Sequence, residues 1–314
     1  MSELPRPTET LIEPALEPLV SVKTHVPDDA MTAGLLGTER SGHGVRIRDD
    51  GLIVTIGYVV SEADEIWIGS HDESAAPGVV IGNDFQSGLA LIKPTTPLPG
   101  PVMKIGRSRD LRDGDAVTIA GSNGIDPQDI EAQVVAKQEF AGRWEYLLED
   151  AIFTAPPHQN WSGAALIDLE GQLCGIGSLV IQGFIVDGAH RTVNMFVPID
   201  LLTPVIDEIC DHGRRLSPPR PWLGILVHDE DGELTVVGVY RKCPANEAGL
   251  RPGDILLQIQ DQPLHSLAHF YRSVWSLGDA GVDVPLTILR NSKRQQIVIK
   301  SSERAAFLHK SIIQ

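Results

Sequence analysis

Short apolar or alternating runs follow one another from Leu19 to about Val197. Turn-forming sequences separate them, among them DDG at 49–51, DGD at 113–115 and GSNG at 121–124. Short strands at regular spacing, with few helical periods between them, are typical of an all-β barrel or sandwich. The pattern predicts strands over Val45–Ile47, Leu52–Ile56, Glu65–Ile68, Leu89–Ile92, Ala116–Ala120 and Leu173–Leu179.

The pattern changes after Val197. From Pro198 to Gly213 apolar residues recur at the spacing of one helix face, and Gly213 stands where a C-terminal cap would lie. The sequence SPPRP, residues 217–221, is a stiff linker. Beyond it we predict a mixed α/β domain with a helix over about Leu264 to Leu277. Its predicted strands are Leu223–Val227, Leu234–Tyr240, Ile255–Ile259, Val284–Leu289 and Gln296–Lys300.

Composition excludes several classes of protein. The 314 residues carry 26 Lys and Arg against 42 Asp and Glu, a formal net charge of −16. A nucleic-acid groove needs the opposite balance, because neutralised phosphates supply most of its affinity. No segment reaches the roughly 18 unbroken apolar residues of a membrane helix. We therefore expect a soluble protein with no nucleic-acid partner and no membrane span.

The cysteines and the N-terminus bear on the compartment. Cys174, Cys210 and Cys243 are odd in number and lack C-x-x-C spacing, as expected of reduced thiols. Paired metal-binding spacings of Cys or His are missing as well, so we predict no metal and no cofactor. The N-terminus holds Glu and Pro where a signal peptide has its apolar run. We expect a cytoplasmic protein, or a periplasmic one if the native chain begins upstream of Met1.

Several segments occur in a recognisable order. Residues 42–60 read GHGVRIRDDGLIVTIGYVV, residues 83–93 read NDFQSGLALIK and residues 111–122 read LRDGDAVTIAGS. MFVPIDLLTPVIDEI follows them, and then PWLGILV and CPANEAGLRPGDILLQIQ. Together they resemble the HtrA/DegP family. Its first three matching segments read GSGVII-DDGYILTNNHVV, D-x-x-x-D-L-A-V-L-K and L-R-V-G-D-W-V-x-A-I-G-N.

The resemblance extends over residues 19–303 and implies a fold. The expected fold is mostly β, a trypsin-like double β-barrel followed by a C-terminal PDZ domain, itself an α/β, partly open barrel. The corresponding organisation is an N-terminal arm, a trypsin-like domain, a Pro-rich linker, a PDZ domain and a C-terminal tail. We expect these at residues 1–18, 19–213, 214–221, 222–303 and 304–314.

The resemblance also assigns catalytic positions. The family's histidine, in T-N-N-H-V-V, falls on Tyr58, and its aspartate, in T-D-L-A, falls on Gly88. Its serine falls on Ser162, within HQNWSGAAL. The oxyanion hole uses the amides of the serine and of the residue two before it, which is Asn160 in place of the family's Gly. One of three triad members is retained, and the oxyanion hole is altered.

These substitutions decide the expected chemistry. A serine hydroxyl needs a neighbouring base to take its proton as it attacks. A tyrosine, with a reference pKa of about 10, is protonated at neutral pH and has no site for that proton. Ser162 is therefore interpreted as a vestigial nucleophile. A substitute base is left open among His43, His158 and His71, although each is equally explained as a surface or structural histidine.

The predicted PDZ domain departs less from its family. In HtrA-type PDZ domains the x-L-G-Φ loop points backbone amides at the C-terminal carboxylate of a ligand, and this loop is Trp222–Leu223–Gly224–Ile225 here. The ligand would add a strand beside Ile225, Leu226 and Val227, against a helix that carries Tyr271. We expect C-terminal or extended peptides of partner proteins to bind there.

Two hypotheses of different class follow. The first is a catalytically inactive HtrA-like pseudoprotease that acts as a peptide- or protein-binding scaffold or regulatory subunit. The second is an active serine endopeptidase that uses Ser162 with a base foreign to the family. Tyr58 and Gly88 favour the first. Assembly as a homo-oligomer or with another protein is expected, and its order stays open.

Overall fold

The computed structural model describes residues 16–122 and 127–309. The predicted arm at 1–18 lies almost wholly outside these residues. The first six strands are β1 (Leu19–His25), β2 (Glu39–Arg46), β3 (Ile53–Ile56), β4 (Glu65–Gly69), β5 (Ala75–Asp84) and β6 (Leu89–Pro94). They close into an antiparallel barrel in the order β1, β2, β3, β6, β5, β4. Closure leaves no unpaired strand edge in this barrel.

A second barrel follows. Its strands are β7 (Ala116–Ser122), β8 (Pro127–Gly142), β9 (Tyr146–Ala155), β10 (Ala165–Ile167), β11 (Leu173–Val186) and β12 (Ala189–Pro198). They close in the order β10, β11, β12, β9, β8, β7. The strands β8 and β9 are long and project as a hairpin whose tight turn is Arg143 to Glu145.

The C-terminal part is a separate antiparallel sheet. Its strands are β13 (Ile225–Glu230), β14 (Glu233–Val239), β15 (Ile255–Ile259), β16 (Gln262–Pro263), β17 (Asp283–Arg290) and β18 (Lys293–Lys300). The order is β13, β14, β15, β17, β18, with β16 paired to β15, so β13 is an edge strand.

Five short helices occur among the described residues. They are α1 (Ala33–Leu36), α2 (Gly57–Val60), α3 (Ile206–His212), α4 (Pro244–Glu247) and α5 (Leu267–Trp275). Single 3₁₀ turns lie at Ser108–Asp110, Ile199–Leu201 and Arg304–Ala306. No helix within the described ranges is long and apolar enough to cross a bilayer.

The predicted helix from Pro198 to Gly213 is shorter than expected. A 3₁₀ turn occupies Ile199–Leu201, and the α-helix begins only at Ile206. Pro204 explains the difference, because proline lacks an amide proton and disfavours helical backbone in the residue before it. The predicted cap is in place, since Gly213 has a left-handed φ of 72°.

Apolar packing links the parts of the molecule. The two barrels share a core that includes Val22 of β1 and Phe153 of β9. A separate core lies between α5 and the C-terminal sheet and includes Phe270. Leu147, from the second barrel, packs in this C-terminal core and is 7% exposed. The β8–β9 hairpin is therefore part of the C-terminal domain's packing.

Candidate functional site

Ser162 lies in the loop between β9 and β10, against β2 of the first barrel. Its carbonyl oxygen accepts from the backbone amide of His43 at 2.8 Å. Gly163 has a φ of 75°, and a Cβ atom there would stand 2.0 Å from the carbonyl oxygen of His43. A Cβ atom on Gly42 would stand 2.8 Å from Ser162 Oγ. Glycine at both positions permits this close approach.

Tyr58, at the family's histidine position, reaches the Ser162 hydroxyl. It stands in α2, and its hydroxyl lies 3.0 Å from Ser162 Oγ and 2.9 Å from the carbonyl oxygen of Ser178. A carbonyl oxygen only accepts, and a phenol carries one proton. Tyr58 therefore donates to Ser178, and Ser162 donates its own proton to the Tyr58 oxygen.

This hydrogen bond supplies no base to the serine. Burial raises the pKa of the Tyr58 hydroxyl to about 12, against smaller lowering effects of the Ser162 and Trp161 side chains. The phenol stays protonated near neutral pH, so it has no site for a second proton. The chemistry of attack requires a neighbour that removes the serine proton. Tyr58 orients that proton and cannot take it.

Gly88, at the family's aspartate position, precedes β6 with a φ of 78°. A Cβ atom there would stand 3.0 Å from Cε2 of Tyr146. The Tyr146 hydroxyl donates to the carbonyl oxygen of Ser87 at 2.5 Å, which fixes the ring in this place. The carbonyl oxygen of Gly88 accepts from the amide of Gly57, just before Tyr58, at 2.7 Å. A buried tyrosine thus fills the space beside the missing carboxylate.

Asn160, at the altered oxyanion-hole position, uses its amide within the loop. The amide donates to Nδ1 of His158 at 3.0 Å. His158 is buried, and burial lowers the pKa of its ring, which favours the neutral form with an acceptor nitrogen. The amide of His158 in turn donates to Oδ1 of Asn194 at 2.6 Å. The amide predicted to belong to the oxyanion hole therefore donates within its own loop.

The three histidines left open as bases have other environments. Nδ1 of His43 lies 2.9 Å from the carbonyl oxygen of Ser162, so this nitrogen carries a proton and donates it. His158 accepts from Asn160, as described above. His71 is exposed in the turn after β4. None of these contacts places a histidine acceptor nitrogen on Ser162 Oγ.

The predicted carboxylate-binding loop of the C-terminal domain holds a carboxylate. The amide of Leu223 donates to Oε2 of Glu145 at 2.8 Å. The amides of Gly224 and Ile225 donate to Oε1 at 2.7 Å and 3.0 Å. Gly224 has a φ of 83°, and this left-handed backbone turns the successive amides toward one point. The loop therefore has the geometry of an anion site.

The other residues predicted for peptide binding lie around this loop. Trp222 is buried, with its ring 5.3 Å from that of Phe307. Val227 is buried in β13, and Leu226 pairs with Gly238 of β14. Tyr271 of α5 is 1% exposed. Their roles toward a peptide stay predictions.

Sequence reasoning missed Glu145 and Tyr146 as parts of these sites. Glu145 reaches a loop 78 to 80 residues further along the chain. Such a pairing has no local sequence pattern, because it depends on how two domains pack. Gly88 gives one indirect signal for Tyr146. A glycine at this position leaves space beside it, and the Tyr146 ring fills that space.

Comparison with known proteins identifies the two parts. Residues 42–176 match the family model of the trypsin-like peptidase domain, and residues 221–300 match that of the PDZ domain. The chain is 29% identical over 276 residues to a probable periplasmic serine endoprotease, DegP-like, of Pseudomonas putida strain GB-1. It is 30% identical over 273 residues to a protein of the same name from Pseudomonas fluorescens. Both alignments cover 82% of this chain and 55% of the relative, so the chain spans about half the length of these relatives.

Solved structures agree on the fold. The HtrA-type protease AlgW with a tripeptide superposes with a TM-score of 0.54 at 24% identity, covering 93% of this chain and 95% of AlgW. A serine endoprotease from Yersinia pestis gives a TM-score of 0.55 at 24% identity, covering 96% of this chain and 99% of that one. The predicted fold class, a trypsin-like double β-barrel followed by a PDZ domain, is confirmed.

The expected cytoplasmic location is wrong. The curated relatives from Pseudomonas and from Halomonas elongata are named periplasmic endoproteases. The expectation rested on the missing apolar run near Met1. A leader peptide is removed from an exported protein, so a sequence without one does not report the compartment.

Proposed function

Because the chain belongs to the HtrA family, in which a trypsin-like peptidase domain precedes a PDZ domain, we propose that it is a member without peptidase activity. It acts as a peptide- or protein-binding scaffold or regulatory subunit through its PDZ domain. By analogy with its periplasmic relatives, we propose that it works in the periplasm.

The observation that carries this proposal is the contact of Ser162 Oγ with the Tyr58 hydroxyl, which also lies within hydrogen-bond distance of the carbonyl oxygen of Ser178. The serine proton points to an oxygen that is itself protonated. Tyr58 cannot act as the base. Gly88 has no carboxylate to orient one, and the amide of Asn160 donates to His158 and not to an oxyanion. In a serine protease of another fold, loss of the serine or the histidine costs on the order of 10⁶ in turnover.

Peptide binding is supported by the three amides that converge on one carboxylate. A C-terminal carboxylate offers the same two oxygens as the Glu145 side chain, so the loop suits a free peptide C-terminus. The edge strand β13 supplies main-chain donors and acceptors for an added strand. The AlgW structure with a tripeptide belongs to a protein of this architecture.

The test of inactivity uses a fluorophosphonate serine-hydrolase probe on the full chain, with casein turnover in parallel. Ser162→Ala is the control. We expect equal background labelling and no turnover in both proteins. Labelling that disappears in Ser162→Ala would contradict the proposal and support an active serine endopeptidase with a non-family base, beginning with His43.

A further inference from the structure

The groove between β13 and α5, which we call the peptide groove, is occupied by the turn of the β8–β9 hairpin. The amide of Val227 in β13 donates to the carbonyl oxygen of Arg143 at 2.9 Å. β13 is the edge strand of its sheet, so this bond is one that an added peptide strand would make. Arg143 thus binds the edge strand β13, and Glu145 binds the carboxylate loop.

The other wall of the groove also holds the hairpin. The Tyr271 hydroxyl in α5 donates to the carbonyl oxygen of Gly142 at 2.7 Å. The hydroxyl oxygen of Tyr271 in turn accepts from the amide of Glu145 at 3.1 Å. Tyr271 is 1% exposed, so this donor and acceptor pair is satisfied out of contact with solvent.

Contacts outside the groove extend the interface. Arg272 of α5 pairs with Glu139 of β8 and lies 3.8 Å from Glu149 of β9. Leu147 packs in the core of the C-terminal domain. Side chains of both hairpin strands therefore contact the C-terminal domain, in addition to the backbone hydrogen bonds of the turn.

The backbone of the turn is itself constrained. Glu145 has a φ of 61°, a left-handed conformation that is uncommon for a residue with a side chain. This conformation directs the Glu145 carboxylate at the loop while its amide faces Tyr271. A side-chain carboxylate in the middle of the chain thereby occupies the position of a C-terminal one.

We propose that residues 142–145 are an internal ligand that closes the peptide groove, so that a partner peptide binds only by displacing them. The proposal rests on the proposed peptide-binding function and adds its regulation. The competing group is a free C-terminal carboxylate, which would take the three amides from Glu145. Peptide binding and release of the hairpin are then one coupled event.

Hydrogen exchange tests the closure without any peptide. The full chain, Glu145→Ala and Glu131→Ala are compared at the amides of residues 223–227. Glu131 is a matched control, an exposed carboxylate on the same strand β8. We expect exchange at these amides to be at least about tenfold faster in Glu145→Ala and unchanged in Glu131→Ala. Equal exchange in the two variants would overturn the proposal.

Peptide capture tests the competition. A pool of peptides with free C-termini and random last residues is offered to the same three full-length proteins, beside a pool with amidated C-termini. Glu145→Ala should retain at least about tenfold more of the free pool than the wild type and Glu131→Ala do. Measurable capture of the free pool that is equal in the wild type and Glu145→Ala would overturn the closure.

The two proposals fail in different ways. Faster exchange in Glu145→Ala with no capture in any variant supports the closure and contradicts the peptide-binding function. Exchange of barrel amides such as Gly163, whose amide donates to the carbonyl oxygen of Gly177 at 2.8 Å, reports whether each variant is folded. If this measurement shows that Glu145→Ala is unfolded, hydrogen exchange is measured on Glu145→Gln in its place. This variant keeps the size of the side chain, but its NH₂ group replaces one acceptor oxygen and cannot accept from the loop. Exchange within 223–225 should therefore exceed that of the wild type, and equal exchange overturns the closure.

Discussion

A Cβ atom on Gly88 would stand 3.1 Å from the hydroxyl oxygen of Tyr146, so the tyrosine occupies the space into which a third catalytic side chain would extend. The ring of Tyr146 therefore limits which side chains residue 88 can carry. Restoring a carboxylate at residue 88 requires the buried ring to move, and that ring is anchored to Ser87.

Gly88→Asp should destabilise the protein by about 2–4 kcal/mol. Left-handed backbone costs a side chain about 1–2 kcal/mol, and overpacking against Tyr146 adds to it. Thermal unfolding measures the change. Gly171→Asp is the matched control, because Gly171 has a φ of 74° with nothing within 4 Å of an added Cβ. Equal losses in the two variants would mean that Tyr146 does not obstruct position 88.

Tyr58→Phe should destabilise the protein by about 1–3 kcal/mol, since the carbonyl oxygen of Ser178 loses its donor and Ser162 loses its acceptor. Denaturant titration measures the free energy of unfolding. Tyr240→Phe, which removes a tyrosine hydroxyl with no hydrogen bond in the described structure, should change it by less than about 0.5 kcal/mol.

Tyr58→His is expected to leave Ser162 unlabelled by the fluorophosphonate probe. The new imidazole would have no carboxylate at residue 88 to orient it, and the amide of Asn160 still donates to His158. Labelling in Tyr58→His that Ser162→Ala abolishes would show that the base alone was missing.

Closure of the peptide groove should weaken as pH rises from about 4.5 to about 7. Burial raises the pKa of Glu145 from 4.5 to about 7, against the lowering effect of its three amide donors. Between these two pH values the carboxyl group of Glu145 is protonated while it is docked in the loop and ionised once it is released. Docking is therefore strongest at the acidic end of the window. Exchange at 223–227, corrected for its intrinsic pH dependence, should rise by roughly tenfold or more.

Glu145→Gln is the control for this pH dependence and should show a flat response. The groups facing Glu145 are Tyr240, Cys243, Tyr271 and Arg304. Burial raises the pKa of both tyrosines above 10 and that of the cysteine to about 11, so none of these three titrates in the window. The same pH profile in Glu145→Gln would assign it to another group.

Gly224→Ala should abolish capture of peptides with free C-termini, including in the Glu145→Ala background. Its Cβ would lie 2.5 Å from Cβ of Cys243, so the loop must move and its amides no longer converge. Gly249→Ala is the matched control, with the same φ of 83° and open space around the added atom. Capture that survives in Gly224→Ala at the level of Gly249→Ala would exclude the loop as the carboxylate site.

Segment order along the chain was enough to predict the two-domain fold, because each matching motif is short and its residues are close in sequence. The assignment of Tyr58 and Gly88 to catalytic positions stays a prediction. The helix after the second barrel was predicted too long, because the apolar spacing was followed across Pro204, where an α-helix cannot continue unbroken. Glu145 was beyond prediction, since its site exists only after two domains pack together.

The tether between hairpin and groove has a quantitative consequence. Since both belong to one chain, the local concentration of the Glu145 carboxylate at its loop is set by geometry and is unaffected by dilution. For short connections such local concentrations are in the millimolar range. The proposed closure would therefore set a threshold on affinity: only peptides that bind the loop more tightly than the tethered Glu145 carboxylate would displace it.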